Sequence, residues 1–287
     1  MPEYMTISEQ QAKPVVSVAI PTYQGAGFIG AAIESVLMQS FKEFELIIID
    51  DNSTDGTASI AGRYTDPRIR FMRNDHNLGP ERNWNRCLTE ARGRYFKLLP
   101  QDDLLAPDCL QRQVAVFEAD TEESIALVFS ARTIINANGR AIMTRGYPLR
   151  RGGRIDGRSA LQTCLRRGTN LIGEPGAVLF RKSLADQVGG FDAGIGYLLD
   201  LDYWFRLLLR GDAYYLPEIL ASFRVSGRSW SVAIGAGQSE DFRRFITRIS
   251  EQPEYGTGAV ERLAGSVMAR LHNLLRICLY KFLHVGR

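Results

Sequence analysis

The sequence has few cysteines and little net charge. Its four cysteines are widely separated: Cys87, Cys109, Cys164 and Cys278. Zinc sites and redox motifs need cysteines at short paired spacings, so this pattern matches neither and favours a reducing compartment. The formal charge of +3 is the difference between 35 basic and 32 acidic residues, which gives no ground for expecting a nucleic-acid partner.

Apolar targeting and membrane-spanning segments are also missing from the pattern. Residues 1–13 are polar and lack the apolar stretch of a secretory signal, and no apolar run is long enough to span a bilayer without interruption. We therefore expect a flexible N-terminal tail over residues 1–13. We also expect a cytoplasmic protein that is at most peripheral on the inner face of the membrane.

The first hundred residues contain a regular alternation of strand and helix signals. Runs of β-branched and other apolar residues predict strands over 15–20, 45–50, 68–72 and 95–99, with helices between them. This alternation predicts the α/β class, with a mostly parallel central sheet sandwiched by helices. Ligands of such sheets bind beyond the carboxyl ends of the strands.

Two of these strands lead into adjacent aspartates, Asp50-Asp51 and Asp102-Asp103. Neighbouring carboxylates raise each other's pKa unless a metal ion or several hydrogen-bond donors stabilise their charged forms. Because the carboxyl ends of parallel strands meet at one edge of the sheet, both pairs are expected at the ligand-binding edge. The pairs therefore predict a site for a metal or a polyhydroxyl ligand.

The alternation becomes less regular after the second aspartate pair. A helix is predicted over 107–117, a strand over 126–135, a further strand over 177–180 and a helix over 199–209. The glycine- and arginine-rich segment 145–158 is predicted to be a mobile loop.

One short motif indicates a different function. Residues 25–30 read GAGFIG, which satisfies the GxGxxG pattern of dinucleotide-binding folds, and Asp50 follows at about the required spacing of 20 residues. However, the first strand is predicted to end near Ile20, whereas the dinucleotide fingerprint places its first glycine in the strand-to-helix turn itself. An NAD(P)-dependent oxidoreductase with a Rossmann fold therefore stays open as an alternative.

Several longer motifs together resemble the inverting family 2 glycosyltransferases, which have the GT-A fold. VSVAIPTY at 16–23 resembles their first strand and base-binding loop, and IIDDNSTDGT at 48–57 is similar to their second signature. Residues 77–85 and 91–95 resemble the run that leads into the family's metal motif. The resemblance extends over residues 15–231.

The resemblance implies a GT-A domain over residues 14–232 and a C-terminal helical extension over 233–287. Within the domain, residues 14–105 would be a Rossmann-like nucleotide-sugar half and residues 106–232 an acceptor half. The implied reaction transfers a sugar from a nucleotide-diphosphate sugar to an acceptor hydroxyl, with inversion. The acceptor would be a saccharide or a lipid-linked molecule of polysaccharide, glycan or glycolipid biosynthesis.

On the nucleotide side, the resemblance implies that Pro21, Thr22 and Tyr23 cradle the base. Asp51 would accept a hydrogen bond from a ring N–H group of the base, and Arg82 would contact the base or a phosphate. The alternative for two of these residues is structural, with Tyr23 in the core and Asp51 as a helix cap.

Around the diphosphate, the resemblance implies that Asp102 binds the ribose and Asp103 a divalent metal, Mn²⁺ or Mg²⁺. Pro100 stands where many members carry a further acid, although one carboxylate can suffice when phosphate oxygens and water complete the metal's ligands. Ser226 stands near a position where a histidine is common in the family. Arg224 and Arg228 are therefore expected beside the diphosphate.

The catalytic base is sought in LDLDYWFRL at 199–207, which resembles the acidic motif of the family. Aligning Trp204 with the family tryptophan implies that Asp200 is the base, although Leu199 replaces the acid that usually precedes it. Three further acids are expected to meet the acceptor: Glu174, Asp192 and Asp202.

The end of the chain is helical in pattern over residues 260–285, with apolar residues on one face. That face could dock on the catalytic domain, on a second copy, or in a membrane interface near anionic lipid. A further alternative for the whole chain is a non-catalytic module that binds nucleotide sugars without transferring them.

Overall fold

The structure is a computed structural model that describes residues 13–192, 194, 196, 198–227 and 238–282. Its first half alternates strands and helices, as the sequence pattern predicts. In chain order these are β1 Val16–Thr22, α1 Ile29–Leu37, β2 Phe44–Asp50, α2 Thr57–Ala61, β3 Ile69–Arg73, α3 Pro80–Glu90, β4 Tyr95–Leu98, β5 Leu104–Leu105 and α4 Cys109–Ala119.

The second half contains longer strands and the larger helices. They are β6 Ile125–Asn136, β7 Ala141–Arg145, β8 Gly153–Ile155, α5 Gly157–Arg167, β9 Val178–Arg181, α6 Lys182–Val188, α7 Leu199–Leu208, β10 Asp212–Val225, α8 Gln238–Ser250 and α9 Ala259–Phe282. Apart from residue 13, the predicted N-terminal tail lies outside the described residues.

The described strands form one sheet in the order β3-β2-β1-β4-β9-β6-β10-β5, with β7 beside β6 and β8 beside β10. The block β3-β2-β1-β4 is entirely parallel. Strand β9 runs antiparallel to both β4 and β6, so the sheet as a whole is mixed. The α/β prediction is confirmed, with one parallel block of four strands and a further parallel pair, β6 and β10, in a mixed sheet.

Helices cover both faces of the sheet and create two apolar layers. One layer joins the sheet to α3, α5, α7 and α8, and the other joins it to α1, α2 and α4. The strands β1, β2 and β4 are largely apolar because both of their faces are buried, and each is buried at every position, whereas the edge strand β3 is partly exposed.

Two local predictions need correction. Strand β1 continues to Thr22 instead of ending near Ile20, and Pro21 pairs in register with Ile49 of β2. Proline is tolerated there because its missing N–H would point toward β4, whose pairing with β1 has already ended at the Ala19–Leu98 pair.

The segment predicted as a mobile loop over 145–158 is also partly ordered secondary structure. Its end forms β8, which pairs antiparallel with β10, and the first residues of α5. Before β8, Tyr147 is buried, with its ring 5.7 Å from Phe129 and 6.0 Å from Tyr215. The aromatic anchor and the strand pairing explain why the prediction of a free loop is wrong. The domain boundaries implied by the resemblance stay predictions.

Candidate active site

The loops after β1 and β4 meet at the carboxyl edge of the sheet, where Gln101 joins them. The Tyr23 backbone N–H donates to Gln101 Oε1 at 2.9 Å, and Gln101 Nε2 donates back to the Tyr23 carbonyl at 2.9 Å. The Thr22 hydroxyl also donates to Gln101 Oε1. The Tyr23 ring is 48% exposed and is therefore not a core residue.

Gly25, the first glycine of the GxGxxG motif, has a structural explanation in the same loop. A Cβ atom on Gly25 would stand 2.1 Å from Gln101 Oε1 and 2.7 Å from the Thr22 hydroxyl oxygen. Its backbone N–H donates to the Thr57 hydroxyl at 2.8 Å. The glycine is required because the side chain of Gln101 fills the space that a Cβ would take.

The first aspartate pair diverges into two separate hydrogen-bond groups. Asp50 accepts from the Ser53 N–H and hydroxyl, and its Oδ2 lies 3.3 Å from Arg73 Nε. Asp51 accepts from Asn74 Nδ2 at 2.6 Å and from two backbone N–H groups, those of Leu78 at 2.8 Å and Gly79 at 2.9 Å.

Asp51 thus anchors the loop that precedes α3. Neither α2 nor α3 has a side-chain cap at its N-terminus, so the alternative of Asp51 as a helix cap is wrong. A carboxylate offers about four acceptor sites, so roughly one remains for a ligand. Arg82 lies exposed in the first turn of α3, next to this loop.

The second aspartate pair is short of hydrogen-bond donors. Asp103 is 1% exposed; its Oδ1 accepts from the Arg224 N–H at 2.8 Å, whereas its Oδ2 is buried without a hydrogen-bond partner among the described residues. Burial, followed by the charge of Asp102, raises the pKa of Asp103 well above its usual range. Burial also raises the pKa of Asp102.

Arg224 holds the turn at Asp102. Its buried guanidinium donates to the carbonyls of Asp102 at 2.8 Å, Asn136 at 3.0 Å and Ala137 at 3.1 Å. It also lies over the Phe28 ring, 5.0 Å from the centroid. These contacts clamp the Asp102 turn, and the place of Arg224 beside the diphosphate stays a prediction. Arg228 lies outside the described residues.

A second acidic group forms where α7 begins. Asp200 Oδ2 accepts from Asn170 Nδ2 at 3.0 Å, and Oδ1 accepts from the Leu201 N–H at 2.7 Å. Burial and then the negative charge of Glu174 raise the pKa of Asp200 to about 7. A carboxyl group with this pKa can exchange a proton near neutral pH.

Glu174 stays charged in the same environment because it has a cationic partner. Its Oε2 accepts from Arg132 Nε at 2.6 Å, and the Arg132 side chain is only 2% exposed. Although burial raises the pKa of Glu174, the charges of Arg132 and Arg145 lower it below its usual value. Asp200 therefore faces a fixed negative charge.

The loop before Glu174 is packed tightly around Arg132. Gly173 has a φ of +118°, and a Cβ there would stand 3.0 Å from the guanidinium carbon. Asn170 Oδ1 accepts from the Gly173 N–H at 2.9 Å, and Trp204 Nε1 donates to the Gly173 carbonyl at 3.1 Å. These contacts fix the loop that presents Asn170 and Glu174 to Asp200.

The same loop links Asp200 to the second aspartate pair. Negative charge on Glu174 raises the pKa of both Asp103 and Asp200. A Cβ on Gly176 would lie 3.8 Å from Asp103 Oδ2, so the chain following Glu174 passes beside the unpartnered oxygen. The buried Lys97 supports this segment by donating to the Gly176 carbonyl at 2.9 Å.

Two of the predicted acceptor residues lie elsewhere. Asp202 is buried and accepts from Arg206 Nε at 2.7 Å, and Asp192 accepts from Arg248 Nη2 of α8 at 2.7 Å. Residues two apart on a helix point about 200° away from each other, so Asp202 cannot share the surroundings of Asp200. These acids form ion pairs apart from Asp200, and their contact with the acceptor stays a prediction.

Three polar residues of the site were missed at the sequence level: Gln101, Arg132 and Asn170. Only Arg132 carries a recognisable signal, because an arginine inside the apolar strand IALVFSARTII requires a buried partner. No group of three histidine, cysteine, aspartate or glutamate side chains suited to a metal occurs within the part of the chain that the structure describes.

Comparison with known proteins gives consistent matches. The family model described as "Glycosyl transferase family 2" matches residues 17–189. An uncharacterized protein of Mycobacterium tuberculosis is 34% identical over 86% of this chain and 79% of its own length. TuaG of Bacillus subtilis, named as a teichuronic acid biosynthesis glycosyltransferase, is 31% identical over 77% of this chain and 85% of its own length.

Two solved structures share the fold at low sequence identity. Staphylococcus aureus TarS 1-349 in complex with UDP-GlcNAc has a TM-score of 0.66 and 19% identity, covering 91% of this chain and 72% of TarS. The mannosyltransferase PcManGT of Pyrobaculum calidifontis, in complex with GDP-Man and Mn²⁺, has a TM-score of 0.64 and 18% identity, covering 94% of this chain and 76% of PcManGT. The GT-A architecture expected from the sequence is confirmed.

Proposed function

Because the chain belongs to glycosyl transferase family 2, we propose that it transfers a sugar from a nucleotide-diphosphate sugar to an acceptor hydroxyl, with inversion. The family assignment makes the oxidoreductase alternative wrong, and the contact between Gly25 and Gln101 explains the motif that suggested it. The name of the relative TuaG supports polysaccharide biosynthesis as the setting.

One observation carries the proposal: a carboxyl group with a pKa of about 7 and a buried, unpartnered carboxylate oxygen lie on either side of one loop. Asp200 is the first of these groups, and Asp103 provides the second. Glu174 lies in the loop between them. Transfer with inversion needs a proton acceptor on one side of the sugar and charge stabilisation on the other.

In the proposed reaction the acceptor oxygen attacks the anomeric carbon while Asp200 takes the hydroxyl proton. The new carbon–oxygen bond forms as the bond to the diphosphate breaks, and the diphosphate leaves with the bonding electrons. A single in-line displacement of this kind inverts the anomeric configuration. Asn170 holds the Asp200 carboxylate in place through Oδ2, which satisfies the requirement for an aligned base.

On the donor side, the exposed Tyr23 ring provides a surface for the base, with Pro21 and Thr22 beneath it. The remaining acceptor capacity of Asp51 suits a ring N–H of that base. Arg82 is positioned to meet the base or a phosphate from the start of α3. Asp102 is assigned to the ribose.

A divalent cation, Mn²⁺ or Mg²⁺, fits the surroundings of Asp103. The buried Oδ2 of Asp103 has negative charges from Asp102 and Glu174 near it and no hydrogen-bond partner among the described residues. Hard cations often bind through one or two carboxylates plus phosphate oxygens and water, so the lack of an acid at Pro100 is compatible with such a site. When bound, the cation would stabilise negative charge on the departing diphosphate.

Glu174 stays a candidate acceptor contact, since it is the predicted acceptor residue that lies beside Asp200. Its Oε2 is committed to Arg132, which leaves Oε1 for an acceptor hydroxyl. The proposal therefore assigns the acceptor to the space between α7 and the loop that carries Glu174.

The experiment that tests the proposal starts from the donor. Thermal shift measurements with UDP-, GDP- and dTDP-sugars, each with and without Mn²⁺, should identify one stabilising donor. Release of the nucleoside diphosphate is then followed with saccharide and lipid-linked acceptors. Asp200→Asn should lower transfer at least about 1,000-fold while donor affinity stays within about threefold.

The matched control is Asp186→Asn, which removes an exposed carboxylate of α6 that pairs with Lys182. It should keep near-normal transfer. Full activity in Asp200→Asn would contradict the assignment of the base. Donor binding without transfer, for every acceptor tried and with Asp200→Asn indistinguishable from the native chain, would favour the non-catalytic module.

A further inference from the structure

Helix α9 presents its large apolar side chains to solvent. Six aliphatic residues on this helix are between 46% and 72% exposed: Val260, Leu263, Val267, Leu271, Leu274 and Leu275. Their spacing of three and four residues places them along one face of the helix. At 1.5 Å per residue, the stripe from Val260 to Leu275 is about 22 Å long.

The opposite face of α9, which contacts the rest of the chain, carries small and polar residues. A Cβ on Gly265 would stand 2.3 Å from the Leu165 carbonyl oxygen of α5, and a Cβ on Gly168 would stand 2.4 Å from the Ala269 backbone nitrogen. Asn273 is also buried on this side. A surface helix normally turns its apolar face to the core, so the arrangement of α9 is inverted. None of the residues that the structure describes covers its apolar stripe.

The charges near the stripe are positive. Glu261 is the only acidic residue of α9, and it is buried and ion-paired with Arg166 of α5 at 2.8 Å. Arg262 and Arg270 of α9 and Arg167 at the end of α5 are exposed. The stripe is therefore accompanied by exposed arginines, without an exposed acid on the described part of α9.

We propose that the outward face of α9 docks on an anionic lipid surface, with the helix lying in the interface. Aliphatic side chains on one face and arginines beside them are the features that hold a helix at the boundary of headgroups and acyl chains. A second copy of the chain would bring the same arginines toward each other. Among the described residues, no helix combines the length and apolar character needed to cross a bilayer.

Docking would also place the candidate active site near the membrane. The inner face of α9 touches Gly168, two residues before the Asn170 that donates to Asp200. An acceptor carried on a lipid would then reach the site from the surface on which the helix lies. This consequence rests on the proposed function, whereas the docking itself does not.

The proposal is tested by co-sedimentation of the purified chain with vesicles of phosphatidylcholine alone and with 30% phosphatidylglycerol, at low salt. The chain should bind the anionic vesicles at least about tenfold more strongly than the neutral ones. The double variant Leu271→Gln/Leu274→Gln should lose at least about tenfold of that binding. The control Met143→Gln/Leu149→Gln changes two residues of similar exposure far from α9 in sequence, and it should stay within about twofold.

A second pair of variants tests whether electrostatic attraction to anionic lipid contributes, as opposed to non-specific hydrophobic binding. Since each arginine near an anionic surface contributes about fivefold, Arg262→Gln/Arg270→Gln should weaken anionic binding by roughly tenfold or more. The control Arg140→Gln/Arg151→Gln, which changes two exposed arginines elsewhere, should have little effect. Circular dichroism and thermal melting confirm that each variant is folded.

Lack of binding to anionic vesicles by the native chain would overturn the proposal, as would equal loss in the variants and their controls. Light scattering without lipid tests whether the stripe binds a second copy of the chain instead. That interpretation would hold if the native chain does not bind vesicles and forms a dimer that Leu271→Gln/Leu274→Gln dissociates. Loss of docking and loss of transfer are measured separately, so failure of one proposal does not imply failure of the other.

Discussion

The two aspartate pairs lie at one edge of one sheet, yet the first is surrounded by hydrogen-bond donors and the second has few. Asp50 and Asp51 receive hydrogen bonds from side chains and backbone N–H groups on every side. Asp103 is equally buried but leaves one oxygen unpartnered among the described residues. The first pair shapes a pocket by itself, whereas the second needs a ligand to complete it.

The shortage of donors extends beyond the second pair. Glu174 keeps its charge through Arg132, and that charge raises the pKa of both Asp103 and Asp200. The carboxyl groups of Asp103, Glu174 and Asp200 therefore share one region, in which Glu174 is ion-paired with Arg132. A region of this kind favours a bound cation and a carboxyl group that exchanges its proton near neutral pH, which are the two requirements of the proposed reaction.

Among changes to the two aspartate pairs, the largest effect should come from replacing Asp103, whose Oδ2 has no hydrogen-bond partner among the described residues. Asp103→Asn is expected to lower transfer at least about 100-fold and to remove the dependence of donor binding on Mn²⁺, because it removes the charge proposed to hold the cation. Isothermal titration with the donor, at several Mn²⁺ concentrations, measures the change. Metal-dependent binding that survives in this variant would contradict the assignment.

The residues around Asp103 also show how much of the site can be predicted from the sequence. The strand pattern places both aspartate pairs at one edge of the sheet, and the parallel pairing of β2, β1 and β4 agrees. Arg132 and Gln101 act through contacts with residues 42 and 79 positions away, and no local pattern encodes such distances. The contacts of Arg224 with the carbonyls of residues 102, 136 and 137 are set by packing in the same way.

The second prediction concerns the pH dependence of transfer. A general base must be deprotonated, so kcat/KM should fall as the pH drops below about 7, the pKa of Asp200. Asn170→Ala removes a donor to the charged form and should move this limb to higher pH by about half a unit or more. Glu174→Gln removes a repelling charge and should move the limb to lower pH.

These opposite shifts distinguish an effect on the pKa of Asp200 from a general loss of folded protein. A loss of stability lowers the amount of active protein at all pH values without moving the limb in two directions. Thr163→Ala, which changes a half-buried residue of α5, is the matched control and should leave the profile unchanged. If both site variants shift the limb in the same direction, the described electrostatic coupling between Glu174 and Asp200 is wrong.

The third prediction compares the stability of the two kinds of aspartate. The folded chain holds the Asp200 proton more tightly than the unfolded chain, so this group contributes most to stability below about pH 4, and that contribution is lost as the pH rises toward 7. Asp200→Asn should therefore stabilise the fold at pH 8, by roughly 1–3 kcal/mol, and have little effect at pH 4. Denaturant unfolding at both pH values measures the difference.

Asp51→Asn should do the reverse at pH 8. It replaces a charged acceptor of three hydrogen bonds with an amide whose NH₂ group cannot accept, and should destabilise the fold by about 2 kcal/mol. Changes of opposite sign in the free energy of unfolding at pH 8 would support the contrast between Asp200, whose charged form is disfavoured, and Asp51, whose charged form accepts three hydrogen bonds. Destabilisation of similar size in both variants would contradict that contrast.

The smallest effect is expected from replacing the exposed Tyr23, which lies on the side of the site where the aspartates are hydrogen-bonded. Tyr23→Leu keeps the backbone contacts with Gln101, because these involve only the Tyr23 N–H and carbonyl. It removes the ring surface proposed for the base, so donor affinity should fall by about three- to tenfold, the range expected for loss of one stacking contact. Phe41→Leu, an aromatic change away from this edge, provides the control. Because Asp50 and Asp51 are already held by hydrogen bonds within the chain, kcat should stay within about twofold. A large fall in kcat without loss of affinity would mean that Tyr23 acts on the reacting centre instead of on the base.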